Sequence, residues 1–110
     1  MTIDLSEAHG FKILSISGQV SQLKDSIALK SAVNALLEEK ADKIAFGLRS
    51  MEYLDSAAIN VLIYAKNQIQ KNGGKFCILE PNEYALDVIG VVGLKDFFPI
   101  LKDREELKQL

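Results

Sequence analysis

Lys43-Ile44-Ala45-Phe46-Gly47-Leu48-Arg49-Ser50-Met51-Glu52-Tyr53-Leu54-Asp55-Ser56-Ala57-Ala58-Ile59 is the stretch on which the fold turns. Its first six residues are short and apolar and are followed by the polar pair Arg49-Ser50, the pattern of a buried central strand ending near Leu48. From about Asp55 the pattern becomes helical and holds to about Asn72, where Gly73-Gly74 supplies the backbone freedom to stop it. At about 100° per residue, Ala58, Val61, Leu62, Ala65 and Ile69 form one stripe, expected to be buried. Ser56, Asn60, Ile63 and Asn67 fall on the opposite face.

On the amino-terminal side, Thr2–Ser6 alternates weakly and Phe11–Ser17 alternates well, with Gly10 and Gly18 as punctuation, so the two are expected to pair as a hairpin. Between Asp25 and Lys40, Leu29, Ala32, Val33 and Leu36 recur at helical spacing opposite Ser31, Asn34 and Glu38. Beyond Gly73-Gly74, Lys75–Leu79 reads as another strand closed by Pro81. Asn82–Gly90 reads as a short helix, Phe97–Leu101 as an edge strand tolerating Pro99, and Asp103–Leu110 as a final charged helix. The order β-β-α-β-α-β-α-β-α predicts an α/β fold: a small mixed, largely parallel sheet with helices packed against it. At 110 residues, positions 1–110 are expected to form one domain.

With 48% hydrophobic and 25% charged residues the chain has the balance of a folded protein rather than a disordered one. A net charge of −2 provides no general attraction to nucleic acid or to anionic membrane surfaces, and no segment approaches the length of a membrane span. The single cysteine, Cys77, cannot close an internal disulfide, which fits a reducing compartment and a cytoplasmic location. Enzymatic constellations are hard to assemble. The only histidine, His9, stands beside Gly10 in the expected turn, too isolated for a Ser-His-Asp arrangement or a metal site. Gly73-Gly74 lies between a helix and a strand rather than between a strand and a helix, so it is a turn and not a phosphate cradle. Glu38-Glu39 and Glu105-Glu106 sit on polar helical faces with nothing to shift their acidity. No enzyme activity, cofactor or metal is therefore expected.

Asp55 and Ser56 place a carboxylate and a hydroxyl where a helix begins. The first turn of a helix has unpaired N–H groups and a partial positive charge, which stabilise an Asp or Ser cap and equally a phosphate on that serine. One of the two is expected to be the N-cap. Ile63, on the serine's side of the helix, offers an apolar anchor for a partner.

In this order and spacing, Ile16-Ser17-Gly18-Gln19-Val20, Lys43–Leu48, Tyr53-Leu54-Asp55-Ser56-Ala57-Ala58, Asn72-Gly73-Gly74-Lys75-Phe76 and Val91-Val92-Gly93-Leu94 resemble a STAS domain, specifically the bacterial anti-sigma factor antagonists, over nearly the whole chain. The resemblance implies phosphorylation of Ser56, next to the motif aspartate Asp55, by a partner that is both anti-sigma factor and serine kinase, and reversal by a PP2C-type phosphatase. It implies that the unmodified form binds the anti-sigma factor and frees a sigma factor for transcription. The contact surface so implied comprises Asp55, Ser56, Ala57, Ala58, Asn60, Ile63, Asn67 and Ser21. Ala58 stands where the family usually has glycine, and Ser21 where many antagonists carry an aspartate. The alternative within the same resemblance is a non-catalytic STAS subunit of an ABC transporter complex, with Ser56 simply part of a contact surface.

Overall fold

In the computed structural model, which describes residues 1–110, His9 and Gly10 both have positive φ, 51° and 83°. Two consecutive positive φ values make the tight turn whose twist matches an antiparallel hairpin, and β1 (Thr2–Ala8) pairs with β2 (Phe11–Val20) across it. The strands β3 (Lys43–Leu54), β4 (Lys75–Leu79) and β5 (Ile100–Leu101) then add in parallel, giving a five-stranded sheet in the order β1-β2-β3-β4-β5. The helices α1 (Leu23–Glu38), α2 (Ser56–Lys71) and α3 (Glu83–Val91) connect the parallel strands. The expected mixed, largely parallel sheet is what the chain forms.

The sheet's two faces are covered differently. Leu14, Ile16, Ile44, Phe46, Leu48, Phe76 and Ile78 bury one face against the apolar stripes of all three helices, with Leu29 and Val33 of α1, Leu62 and Ile69 of α2, and Ile89 of α3. Phe46 lies 5.6 Å from Phe76, ring centre to ring centre, and each such ring taken out of water contributes about 1.5–3 kcal/mol. On the other face, Phe11, Ile13, Ala45, Cys77 and Leu79 meet Leu107 of a short 3₁₀ segment, Arg104–Gln109, with Ala8, Leu101 and Leu110 packed at the margin.

Several boundaries differ from the sequence expectation. The final helix is this 3₁₀ segment, capped by Asp103, whose carboxylate accepts from the Glu106 N–H at 3.1 Å. The edge strand is only Ile100–Leu101; Phe98 is buried in the main core instead. α1 starts earlier, at Leu23, because the Asp25 carboxylate accepts from the Gln22 N–H at 3.3 Å. β1 and β2 extend to Ala8 and Val20, and β2 runs through Gly18 rather than stopping there.

The largest difference is β3. It does not end at Leu48 but runs twelve residues, to Leu54. Ser15 faces Gly47 while Ser17 faces Ser50, and Gly18 faces Met51 while Gln19 faces Tyr53, so β3 carries an extra residue at each of two bulges. The polar pair Arg49-Ser50 is a bulge and not a terminus. Gly73-Gly74 ends α2 as expected, for two separate reasons. Gly73 adopts φ 79°, and a Cβ on Gly74 would stand 2.2 Å from the Asp42 carbonyl oxygen.

Candidate functional site at the end of the third strand

β3 pairs with β4 only as far as Gly47–Leu79, so the ladder on that side stops well before Leu54. Two residues of the β4–α3 connection and α3 take over. The Asn82 backbone N–H donates to the Leu48 carbonyl at 3.1 Å, and its side-chain amide donates to the Met51 carbonyl at 2.7 Å. The Tyr84 hydroxyl accepts from the Leu54 N–H at 2.9 Å. The same Asn82 caps α3, its side-chain Oδ1 accepting from the Ala85 N–H at 2.8 Å. One side chain thus ties the bulged half of β3 to the start of a helix.

From this strand end the chain turns directly into α2. The Asp55 N–H donates to the Val20 carbonyl at 3.0 Å, and the Asp55 carboxylate accepts from the Ala58 N–H at 2.9 Å. Asp55 is therefore the N-cap and Ser56 the first residue of the helix, which settles which of the two caps. Ser56 is exposed, as are Asn60 and Asn67, while Ala57 is half-buried. Ser21 is also exposed and follows Val20, whose carbonyl holds Asp55, so the β2–α1 loop lies alongside the start of α2. Glu52 and Tyr53 are exposed on the preceding bulge.

Two of the eight contact residues are placed otherwise than a contact surface requires. Ala58 is fully buried in the core, so its side chain is not available to a partner; only its backbone, bonded to Asp55, stands near the helix start. Ile63 is half-buried and packs against the main core. Exposed apolar side chains are found instead at Leu23 and Ile27 on α1. Farther along, the two helices are joined where the Tyr64 hydroxyl donates to Asn34 at 2.5 Å and Lys30 stands 4.6 Å over the Tyr64 ring. Sequence reasoning did not single out Asn82 or Tyr84. The Asn at a helix start was a legible signal for the first; the second had none, since its partner is thirty residues away.

Elsewhere the chemistry is quiet. Burial pushes the Cys77 thiol up to about 12, so it stays protonated and unreactive at neutral pH. No group of three or more His, Cys, Asp or Glu side chains is placed to hold a metal ion, and no helix is long and apolar enough to cross a membrane.

A mixed sheet with three helices on one face, and a helix start presented to solvent by a bulged strand, defines a small α/β module. The chain belongs to the STAS domain family, whose family model matches residues 2–107. It is 19% identical to the anti-sigma F factor antagonist of Paenibacillus polymyxa over 91% of this chain and 86% of that protein. Its fold matches an anti-sigma factor antagonist from Mycobacterium paratuberculosis at a TM-score of 0.82, with 22% identity over 96% of this chain and 88% of the other. It also matches the anti-sigma factor antagonist SpoIIAA in its unphosphorylated form at 0.81, with 11% identity over 98% and 95% of the two chains. The phosphorylated form of the Bacillus protein matches at 0.75, with 12% identity over 98% of each chain.

Proposed function

We propose that this chain is an anti-sigma factor antagonist that binds an anti-sigma factor with serine kinase activity while Ser56 is unmodified, and is released when Ser56 is phosphorylated. A PP2C-type phosphatase would return it to the binding state. The observation that carries this reading is the placement of Ser56: exposed, first in α2, and immediately after an aspartate that already satisfies the Ala58 N–H. Its hydroxyl is not needed as the cap, so it is free to be modified without loss of the helix. A phosphate there gains from the helix's partial positive charge and adds about −1.5 to −2 charges beside Asp55 and Glu52. The fold need not change. Burying that charge against a partner is costly, which provides a reason for release. The occurrence of SpoIIAA in phosphorylated and unphosphorylated forms on a similar fold supports the same reading.

The test is to incubate the protein and its Ser56→Ala variant with ATP and each histidine-kinase-like anti-sigma factor of the same genome, followed by intact-mass measurement. One added phosphate on the wild type and none on the variant is expected, with Ser56→Asp weakening association. Modification that persists in Ser56→Ala, or no modification by any of these kinases, overturns the proposal. Copurification of a transporter ATPase in place of such a kinase would instead assign the chain as a subunit of an ABC transporter complex.

A further inference from the structure

On the sheet face away from the three helices, the apolar alternation of Phe11 and Ile13 on β2 and Ala45 on β3 continues into Ser15 and Gly47. Here the 3₁₀ segment no longer covers the sheet, and a cavity of about 620 Å³ opens. Ile16 is the one hydrophobic residue among its nine lining residues. Serine and glycine are poor strand formers, and neither stabilises an open sheet face as a longer side chain would. Their small size is what leaves the space: a Cβ on Gly47 would come within 3.0 Å of the Ser15 hydroxyl oxygen.

At one end of the cavity the Glu80 carboxylate, mostly shielded from solvent, lies 3.2 Å from the Arg49 guanidinium and 3.8 Å from that of Arg104. Glu80 holds this position with φ at 52°, a left-handed conformation unfavourable for a residue with a side chain. Each guanidinium has five N–H donors, so most remain for a ligand after Glu80 is served. The cavity lies beside the middle of β3 and just past the end of β4.

Strand order makes the lining polar in a directed way. Crossing from β1 to β4, it passes from the Asp4 carboxylate through the Ser15 and Ser17 hydroxyls to Arg49 and Ser50, and then to Glu80 with Arg104. One end attracts an anion; the other repels an anion but accepts hydrogen bonds from hydroxyls. The lining contains no aromatic side chain on which a nucleobase would stack.

We propose that this cavity is a binding site for a small phosphorylated polyol, with the phosphate at Arg49 and Arg104 and the hydroxyls towards Ser15, Ser17 and Asp4. The site is separate from Ser56 and does not depend on the function proposed for that serine. Titration of the isotope-labelled protein with ribose 5-phosphate, followed by amide NMR shifts, tests it, with ribose and inorganic phosphate in parallel. Saturable shifts centred on Ser15, Gly47, Ser50 and Glu80 are expected, with weaker or no binding of the two fragments. Arg49→Ala and Arg104→Ala should each weaken binding about tenfold, the loss expected for a charge-assisted contact. Ser15→Val, which removes a hydroxyl partner and adds one methyl-sized group without altering any charge, should weaken binding severalfold, and Lys102→Ala should leave it unchanged. Absence of saturable shifts overturns the site. So does equal binding of inorganic phosphate, full binding by Ser15→Val, or an equal loss in Lys102→Ala. The shift map and Ser15→Val keep the test decisive even if an arginine variant fails to fold.

Discussion

The two halves of β3 obey different rules. Within Lys43–Leu48, Ile44 to Gly47 are paired on both sides, by β2 and β4, and the residues from Ile44 onward are buried. Arg49–Leu54 is paired with β2 alone, through two bulges, and its burial follows a three-residue rhythm in which Met51 and Leu54 point inward between the exposed pairs Arg49-Ser50 and Glu52-Tyr53. The first half holds the sheet together. The second gives up ladder hydrogen bonds and regular alternation, and in return places Arg49 and Ser50 on one face and delivers Asp55 and Ser56 to the start of α2 on the other. Departures from a local rule that nothing in stability calls for are where function is to be sought.

If the first half is the structural one, truncating it should have the largest effect. Phe46→Ala, at a fully buried position against Phe76, is expected to cost about 3–5 kcal/mol in urea or thermal unfolding. A cost under about 1 kcal/mol would mean that the sheet's centre lies elsewhere. In the second half the supports are polar and the effects smaller. Asn82→Ala removes both the α3 cap and the bond to the Met51 carbonyl, and should cost about 1–2 kcal/mol. A melting curve superimposable on the wild type would show that β3 does not depend on this residue.

Asp55→Ala should lose about 1 kcal/mol through loss of the cap. Ser56→Ala should change stability by less than about 0.5 kcal/mol, since its hydroxyl serves no capping bond. The reverse order of these two variants in chemical unfolding would falsify the assignment of Asp55 as the cap. The effect that is sharpest locally is expected for Tyr84→Phe. Global stability should fall by about 1 kcal/mol or less, while hydrogen exchange at the Leu54 amide, which loses its acceptor, should accelerate relative to Phe46. Unchanged exchange at Leu54 would detach α3 from the positioning of Ser56.

Legibility followed the same division. The apolar run of Lys43–Leu48, the stripe on α2 and the Gly73-Gly74 stop were readable because each is a local pattern with a local cause: burial on both faces, helical period, or backbone freedom. Arg49-Ser50 looked like an end because two polar residues in a row break a two-residue alternation, and a bulge produces the same string as a terminus. Ile63 looked like an exposed anchor because a helical projection shows which side a residue is on, but not how far the packed core reaches around the helix. Ala58 was assigned both to the buried stripe and to the contact surface; the core settles it.

By itself, the order of apolar and polar residues determined that this chain forms a mixed sheet with helices and that an aspartate and a serine stand together at the start of one of them; which of the two caps it was left to the structure. Those features depend on residues a few positions apart, whose periodicity and hydrogen-bonding habits act through the local backbone. Only the tertiary structure decided that β3 continues through two bulges, that Asn82 and Tyr84 hold its end, and that Ser15, Gly47, Arg49 and Glu80 surround one cavity. These depend on which strands lie side by side, and contacts between residues thirty or more positions apart leave no period in the sequence to read.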